Sequence, residues 1–297
     1  MGRELAERFP VAAATFAEAD EACGFSLSRL CFEGPEDELK LTENTQPAIL
    51  TVSVAAHRVL AEHGVNPALA AGHSLGEWSA HVAAGTLSFA DAVRSVKARG
   101  RAMQQAVPAG QGGMAAVLAL DAAQVAEACA EAAAETGLPV APANINSPSQ
   151  IVISGALAAV EKAAAIAKAK GARRAVMLPV SAPFHCALML PAQEEVARVL
   201  GGLALGEPVI PVAANVTGKL VSTAADAQDA LIRQVTGAVR WVECVQTLIA
   251  AGATRFVEVG PGKVLCGLLH QIDHAQKGLH VADAASLETT LSELQSA

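Results

Sequence analysis

The chain has 297 residues, with 21 Lys and Arg against 29 Asp and Glu for a net charge of −8, and this length allows one large or two modest domains with a sizeable core. Hydrophobic residues make up 52% of the chain but aromatic residues only 3%, so the mean hydropathy of +0.37 reflects alanine-rich helices, and no apolar run reaches the roughly 18 residues of a membrane-spanning helix. The basic residues are dispersed, which argues against nucleic acid or a membrane surface as a partner and favours small molecules or proteins.

Helical and strand patterns alternate along the chain, which favours an α/β architecture with a parallel sheet. In the first third, a start signal at residues 44–47 precedes apolar residues at helical spacing. A short apolar strand then leads into the pentapeptide 72–76, and two helical patterns follow it. The predicted elements are helix 45–63, strand 68–71, helix 77–84 and helix 89–106.

The middle of the chain carries its own order of elements. Its patterns predict β-α-β-β-α-β, the ferredoxin-like order, between the glycine-rich segment 110–113 and the segment 181–183. The predicted elements are strand 114–120, helix 122–134, strands 140–144 and 150–154, helix 156–170 and strand 174–180. We therefore expect a small subdomain of residues 112–181, inserted into a larger one of residues 1–111 and 182–297.

After this insertion the pattern of the larger subdomain resumes. The predicted elements are helix 187–200, strand 209–213, helices 224–235 and 242–251, strand 255–259 and a helix from about residue 263. No internal repeat interrupts this alternation.

The pentapeptide 72–76, GHSLG, has the Gly-x-Ser-x-Gly pattern between a predicted strand and a predicted helix. At such a turn the flanking glycines let neighbouring backbone approach, and the serine hydroxyl projects into solvent as a nucleophile. The N–H of Leu75, in the first helical turn, can donate to an oxyanion with help from the helix dipole. A chance match in a Gly- and Ala-rich chain is the alternative, and the flanking strand and helix favour Ser74 as the nucleophile.

A serine needs a base to accept its proton, and the chain has eight histidines. His185 lies where the small subdomain returns the chain to the large one, and a histidine at such a junction can reach the serine turn. His73 adjoins Ser74 but leaves the turn in another direction, so we expect a structural role for it. Spacing alone leaves the role of His185 open. The other six are interpreted as surface or boundary residues: His57, His63, His81, His270, His274 and His280.

Arg99 departs from the charge pattern of predicted helix 89–106. At about 100° per residue, the apolar stripe centres on Val96, and Arg99 falls about 60° from it, at the margin of the stripe. A guanidinium there must be paired or must extend to solvent. Either it forms a structural ion pair, or it faces a cavity and binds a carboxylate through two hydrogen bonds.

The six cysteines show no Cys-x-x-Cys pair, so neither a zinc site nor a disulfide framework is expected. No His, Asp or Glu cluster has metal spacing, and the glycine segments 110–113 and 260–263 lack the features of nucleotide-binding loops. We therefore predict no metal and no cofactor. Residues 1–8 are charged and lack the apolar core of a signal peptide, which predicts a cytoplasmic protein.

Four segments, in this order, resemble the malonyl-CoA:acyl carrier protein transacylases of bacterial type II fatty acid synthesis. They are AGHSLGEWSA at 71–80, KARGRAMQ at 97–104, VSAPFHCALM at 180–189 and VEVGPGKVL at 257–265. The resemblance extends from near residue 1 to about residue 275, and four ordered motifs are far more specific than any one of them. It implies a hydrolase-like large subdomain and a ferredoxin-like small subdomain.

The resemblance also implies roles for individual residues. Ser74 would attack the thioester of malonyl-CoA, with His185 as general base and then acid, oriented by a backbone carbonyl rather than by an aspartate. Arg99 would pair with the malonyl carboxylate.

Three further residues match family positions around this site. Gln234 matches a position near the histidine, and Gln46 and Asn144 match positions that line the pocket. The implied partners are malonyl-CoA, which is a substrate rather than a cofactor, and acyl carrier protein. We expect the chain to act as a monomer.

One departure from the family concerns the start of the sequence. Family members begin with a strand and a Pro-Gly-Gln-Gly-Ser-Gln loop, whose first glutamine supplies a second backbone N–H to the oxyanion hole. Residues 1–5 here resemble the helix after that loop. If this were the whole protein, the Leu75 N–H would lack its partner, at a typical cost of about 10² to 10³ in rate. We favour a start codon assigned too far downstream, or a truncated sequence, as the interpretation.

Three functions stay open at this level. The leading one is malonyl transfer through a malonyl-serine, with Arg99 selecting the carboxylate. The second is a serine esterase or thioesterase, which would transfer to water and usually shows a His-Gly-Gly-Gly motif that this sequence lacks. The third is a paralogue that binds carrier protein but no longer reacts.

Overall fold

The computed structural model describes residues 1–180 and 182–296. Its helices are α1 Arg3–Arg8, α2 Pro10–Cys23, α3 Leu27–Glu33, α4 Glu36–Lys40, α5 Thr42–Glu62, α6 Leu75–Ala83, α7 Phe89–Gln105, α8 Ala122–Thr136, α9 Leu157–Ala169, a 3₁₀ turn Ala187–Met189, α10 Leu190–Gly201, α11 Ala224–Arg233, α12 Trp241–Ala250, α13 Val264–Ile272 and α14 Ala284–Gln295. Its strands are β1 Ala70–Ala71, β2 Gly112–Leu118, β3 Val140–Ser147, β4 Gln150–Ala156, β5 Arg174–Met177, β6 Val212–Ala213, β7 Leu220–Val221, β8 Phe256–Val259 and β9 Gly278–Val281. None of the helices in these two ranges has the length and apolar character needed to cross a bilayer.

Helices and mixed sheets combine in this chain, which confirms the predicted α/β class. β1 pairs with β6 in parallel, β6 pairs with β7 antiparallel, and β8 pairs with β9 in parallel. In place of the predicted parallel sheet, the structure has two parallel strand pairs in two separate sheets, and the sheet that contains β1 and β6 is mixed.

The strands that lead to the serine turn are shorter than the sequence predicts. Only the last two residues of predicted strands 68–71 and 209–213 pair, with Ala70 opposite Val212 and Ala71 opposite Ala213. The backbone N–H of Val209 donates to the carbonyl of Ala84 at the end of α6 instead. Pro211 has no N–H to donate to a strand ladder, so pairing begins only after it.

Residues 112–177 follow the predicted order of strand, helix, strand, strand, helix, strand. Their strands form one antiparallel sheet in the order β3-β4-β2-β5. Buried residues of this sheet, α8 and α9 make a hydrophobic cluster of their own. Ser181, at the predicted end of the small subdomain, lies outside the described residues.

The largest hydrophobic cluster is built around α2, α5, α6 and α7. At one point α5 and α7 approach too closely for any side chain larger than hydrogen. A Cβ on Gly100 would lie 2.5 Å from the carbonyl oxygen of Thr42 and 2.8 Å from the Cα of Glu43. Glycine at this position therefore lets the first turn of α5 lie directly on α7, beside Arg99.

This contact predicts the effect of Gly100→Ala. Although alanine favours a helix more than glycine does, its Cβ would displace the start of α5, and overpacking of this kind costs about 1 to 3 kcal/mol. We expect urea denaturation to show a lower free energy of unfolding. Gly267→Ala in α13 is the control, since nothing lies within 4 Å of its Cβ position, and we expect no loss of stability there. Equal stability of wild type and Gly100→Ala would contradict the close contact.

Candidate active site

Ser74 lies at the turn between β1 and α6, with a φ of 51° and a ψ of −103°. A positive φ is strained for a residue with a side chain and is common at functional sites. A Cβ on Gly72 would overlap the carbonyl carbon and oxygen of Gly76, so this turn requires glycine at position 72. The space around Gly76 is different, because a Cβ there would meet nothing within 4 Å. Close approach of backbone thus explains the first glycine of the pentapeptide and not the second.

The imidazole of His185 reaches the hydroxyl of Ser74. Ser74 Oγ lies 2.7 Å from His185 Nε2. On the other side of the ring, Nδ1 lies 2.9 Å from the carbonyl oxygen of Gln234 and 3.2 Å from that of Gly237. Carbonyl oxygens only accept, so Nδ1 carries the hydrogen and Nε2 is the lone-pair nitrogen that accepts the serine proton. Two backbone carbonyls thus orient this histidine.

The environment of His185 keeps the ring neutral. The side chain is buried, and this burial, together with the nearby Arg99 cation, lowers the pKa of His185 to about 3. The two carbonyl bonds oppose the shift, but less strongly. A neutral imidazole at physiological pH is able to take a proton from Ser74 without first losing one.

Arg99 is only 1% exposed, and its guanidinium points into the same site. Nη1 donates to Gln46 Oε1 at 2.7 Å, and Nη2 donates to Gln234 Oε1 at 2.9 Å and to Ser74 Oγ at 3.2 Å. Within residues 1–180 and 182–296, its Nε has no hydrogen-bond partner, and the hydrogen bonds of its other two nitrogens go to amide and hydroxyl oxygens rather than to a carboxylate. Burial lowers the pKa of Arg99 to about 10, so it stays cationic at neutral pH. Of the two alternatives for Arg99, this geometry matches the cavity-facing one.

A cavity of about 300 Å³ connects these side chains. Among the residues predicted from the sequence, Gln46, Ser74, Leu75, Arg99, Asn144 and His185 line it. Gln234 is fully buried and lies behind the cavity wall, in contact with Arg99 and with the backbone of Ser74. The remaining wall is mainly apolar, from Met103, Met114, Leu178, Val180 and Phe184.

Two buried polar residues of the site were not found from the sequence. Asn215, just after β6, accepts from the N–H of Ser74 at 2.7 Å and donates to the carbonyl of Gly72 at 2.8 Å. Glu77 Oε2 accepts from Gln234 Nε2 at 2.6 Å and from the backbone N–H of Asn215 at 3.0 Å. The position of Asn215 after a predicted strand was a usable signal, since ligand sites lie at the carboxyl ends of strands. Glu77 gave none, because an acidic residue in a first helical turn is common.

Two other histidines lie close to the serine turn. His73 Nε2 is 2.8 Å from Asn146 Oδ1, and the ring packs against Trp241. His81 was interpreted as a surface or boundary residue, and this interpretation is wrong, because it lies on the inner face of α6 with no exposed surface. Burial lowers the pKa of His81 to about 4.

Neither cysteines nor metal ligands cluster in the part of the chain that the structure describes. All six cysteines belong to that part and are free. In the same two ranges, no group of three or more His, Cys, Asp and Glu residues is arranged to hold a metal ion.

Comparison with known proteins finds relatives that match nearly the whole chain. The model of the acyl transferase domain family matches residues 1–293. A malonyl CoA-acyl carrier protein transacylase of Salmonella typhimurium is 48% identical over 291 residues, which cover 98% of this chain and 94% of that protein. One from Bacillus subtilis strain 168 is 46% identical over 295 residues, with 99% and 93% covered.

Solved structures agree with these sequence matches. An acyl carrier protein S-malonyltransferase from Vibrio cholerae superposes with a TM-score of 0.94 at 47% identity, covering 98% of this chain and 94% of that chain. A malonyl-transacylase in complex with its type II PKS acyl-carrier protein gives a TM-score of 0.95 at 46% identity, with 99% and 93% covered. The class that fold and site define is an acyl transferase. Within that class, the chain belongs to the malonyl CoA-acyl carrier protein transacylase family, which confirms the resemblance carried by the four motifs.

The lowered pKa of His185 predicts how the reactivity of Ser74 depends on pH. An ordinary histidine titrates near pH 6.5, whereas a base with a pKa of about 3 stays unprotonated throughout the range from 5 to 8. We expect the rate at which a sulfonyl fluoride labels Ser74 to be flat over that range and to fall only in stronger acid, where the protonated ring cannot accept the serine proton.

Two variants complete this measurement. His185→Ala should lower the labelling rate by about 10² to 10⁴, the typical contribution of a general base. His270→Ala, on the exposed side of α13, should leave it unchanged. An inflection near pH 6.5 in the wild-type profile would show that His185 is not shielded as described.

Proposed function

We propose that the protein moves the malonyl group of malonyl-CoA to the phosphopantetheine thiol of acyl carrier protein through a malonyl ester on Ser74. One observation carries this proposal: Ser74 Oγ lies 2.7 Å from His185 Nε2 and 3.2 Å from Arg99 Nη2 in one cavity. A nucleophile, its base and a cation for a carboxylate therefore converge. The names of the relatives, which include a malonyl-transacylase in complex with an acyl-carrier protein, support the donor and the acceptor.

The distance between nucleophile and guanidinium suits a three-carbon diacid. Carbon–carbon bonds of about 1.5 Å place the carboxyl carbon of a malonyl group about 2.5 Å from its thioester carbon. A malonyl group positioned for attack by Ser74 therefore has its carboxylate at Arg99, where it replaces the contact with Ser74 Oγ by paired N–H donors. Gln46 and Gln234 hold the guanidinium in this position.

In the first half-reaction, Ser74 Oγ attacks the thioester carbon while its proton passes to His185 Nε2. The Nδ1–H bonds to Gln234 and Gly237 hold the ring in place as it becomes charged. The oxyanion lies against the N–H of Leu75, at the positive end of α6. His185 then returns the proton to the sulfur of CoA as the carbon–sulfur bond breaks, which leaves a malonyl ester on Ser74.

The second half-reaction runs the same steps in reverse with a different thiol. His185 Nε2 takes the proton of the phosphopantetheine thiol, the sulfur attacks the ester, and Ser74 leaves with a proton from His185. We assign Asn144 to substrate binding because it lines the cavity from β3. Apolar walls such as Met114 and Phe184 limit the access of water, which favours transfer over hydrolysis.

The site draws on two subdomains in this proposal. Residues 1–111 and 182–297 form a hydrolase-like large subdomain that supplies Ser74, His185 and Arg99. Residues 112–181 form a ferredoxin-like small subdomain that supplies Asn144 and part of the apolar wall. The antiparallel order β3-β4-β2-β5 and the separate hydrophobic cluster of this region support the division.

The proposed setting follows from the same chemistry. We assign the protein to the cytoplasm, where malonyl-CoA is a metabolite, and six free cysteines suit a reducing compartment. We also propose that it acts as a monomer and needs no cofactor, because the thioester substrate already carries the activated acyl group.

Transfer through Ser74 predicts a trapped intermediate. Mixing the protein with an excess of labelled malonyl-CoA, followed by rapid quenching, should give close to one label per chain on Ser74, since the released CoA is then the only thiol acceptor and is outcompeted by malonyl-CoA. Adding acyl carrier protein with its phosphopantetheine arm should remove the label. Ser74→Ala should take up none. Steady release of malonate without any acceptor would instead show a hydrolase, and an unlabelled wild-type chain would show a binding protein.

Binding of the carboxylate by Arg99 predicts a change of selectivity in Arg99→Ala. Removing one partner of a buried charge pair costs about 2 to 5 kcal/mol, so kcat/KM for malonyl-CoA should fall by roughly 30-fold or more. Uncharged acetyl-CoA should improve relative to malonyl-CoA. Arg101→Ala, exposed on the same helix, should leave the ratio unchanged. A malonyl preference that survives in Arg99→Ala would make Arg99 a structural residue.

A further inference from the structure

The carboxylate of Glu77 is fully buried under the serine turn. Both of its hydrogen bonds go to one oxygen, since Oε2 accepts from Gln234 Nε2 at 2.6 Å and from the N–H of Asn215 at 3.0 Å. The other oxygen, Oε1, is buried and has no hydrogen-bond partner among the described residues. A buried ionised carboxylate with an unpartnered oxygen is costly, so this group calls for an explanation that the transfer chemistry does not provide.

Glu77 and Arg99 are bridged by the side-chain amide of Gln234 and do not form a direct ion pair. Gln234 Oε1 accepts from Arg99 Nη2 at 2.9 Å, while Gln234 Nε2 donates to Glu77 Oε2. The amide dipole is therefore aligned between the two charges. The negative charge of Glu77 favours the charged form of Arg99, and the positive charge of Arg99 favours the ionised form of Glu77.

Other titratable groups around Glu77 are neutral. Cys244 on α12 is a protonated thiol, because burial and the Glu77 charge raise its pKa to about 12. His81 on α6, His73 before the serine turn and His185 all have lowered pKa values because they are buried. Arg240 and Glu243, also on α12, form an exposed ion pair with each other. Among the described residues, Arg99 and Glu77 are thus the two buried charges of this region, and they cancel.

We propose that Glu77 is the internal counter-charge of Arg99 in the free enzyme and takes up a proton from solvent when a malonyl carboxylate binds Arg99. Glu77 is in this view a positioning residue that acts through Gln234 and Arg99. The inference rests on the proposed function, because it requires a malonyl group in the site.

The reason is a balance of charges. A malonyl carboxylate brings a second negative charge to one guanidinium, and two carboxylates that share a buried site do not both stay ionised. The malonyl carboxylate stays ionised because it pairs directly with Arg99. Glu77 reaches Arg99 only through an amide, so its ionised form is stabilised less. Glu77 is therefore the group that becomes neutral.

The unpartnered oxygen of Glu77, Oε1, is the atom that takes up the proton. Protonation at Oε1 leaves Oε2 as a carbonyl oxygen that still accepts from Gln234 and Asn215, so the bonds that support the serine turn survive. Burial already raises the pKa of Glu77 to about 7 in the free protein. A further rise on malonyl binding therefore falls in the physiological range, where it changes the protonation of Glu77.

Proton uptake by the wild-type enzyme is the primary test. Acylation itself is proton-neutral, because the serine proton ends on the CoA thiol, which stays mostly protonated at pH 7.5. We expect malonyl-CoA to cause uptake of about 0.5 to 0.8 proton per malonyl-serine at that pH, read from an indicator dye in weak buffer. Mass spectrometry of the quenched protein gives the amount of malonyl-serine.

Glu77→Gln is the matching variant, since its amide oxygen keeps the two bonds of Oε2 and its charge matches that of the protonated acid. Uptake should vanish. In wild type, KM for malonyl-CoA should rise by up to about tenfold per pH unit above pH 7, because Glu77 must be protonated for binding. In the variant KM should be flat, with kcat changed less than KM. Glu62→Gln, exposed at the end of α5, is the control and should behave as wild type does.

The outcomes distinguish a failure of the role of Glu77 from a failure of the proposed malonyl transfer. Malonyl-serine that forms in wild type without proton uptake overturns the role of Glu77 and leaves the proposed function standing, whereas absence of malonyl-serine overturns the function. Unchanged uptake in Glu77→Gln places the proton elsewhere and also overturns the inference. If that variant does not fold, the infrared difference spectrum of malonylated wild type decides. A new carbonyl band that shifts in D₂O, as that of a protonated carboxyl does and that of the malonyl ester does not, is expected, and its absence overturns the inference.

Discussion

A buried guanidinium next to a serine hydroxyl is the constraint on which this structure depends. Arg99 is almost without solvent contact, and such a charge is costly unless its donors are satisfied. Its partners are neutral: the amide oxygens of Gln46 and Gln234 and the hydroxyl of Ser74. These neutral partners hold the guanidinium in position without forming a direct ion pair with it. The close packing of α5 on α7 at Gly100 makes this arrangement possible.

Gln234 connects the parts of the site that have different tasks. Its backbone carbonyl orients His185, its side-chain oxygen holds Arg99, and its side-chain nitrogen donates to Glu77 and to the backbone of Ser74. His185, Arg99, Glu77 and Ser74 thus share one partner residue, so displacement of Gln234 would disturb all four together. Asn215 adds a second support, because it holds both Ser74 and Gly72 in the strained turn. This shared support keeps Ser74 within hydrogen-bond distance of His185 and Arg99 without an aspartate beside the histidine.

Local patterns predicted much of the fold. Periodicity located α7 to within one residue at its end, and the order of strands and helices over residues 112–177 was read correctly. The same patterns overestimated the strands that end in Ala71 and Ala213, because pairing depends on partners that a local pattern does not contain. His81 was misread for a related reason. A histidine in an amphipathic helix has no local mark that tells whether its side of the helix is covered, and tertiary packing covers it.

The sequence by itself determined which chemical groups are present: a serine in a strand-to-helix turn and an arginine at the margin of an apolar stripe. Through four ordered motifs it also determined the family. These are local features, and a turn or a helix face is set by residues adjacent in the chain. Only the tertiary structure decided which side chains are in contact across the site. It placed His185 against Ser74, made two carbonyls the partners of the imidazole, and put Glu77 behind Gln234. Contacts between residues far apart in the chain depend on the packing of whole elements, which spacing does not reveal.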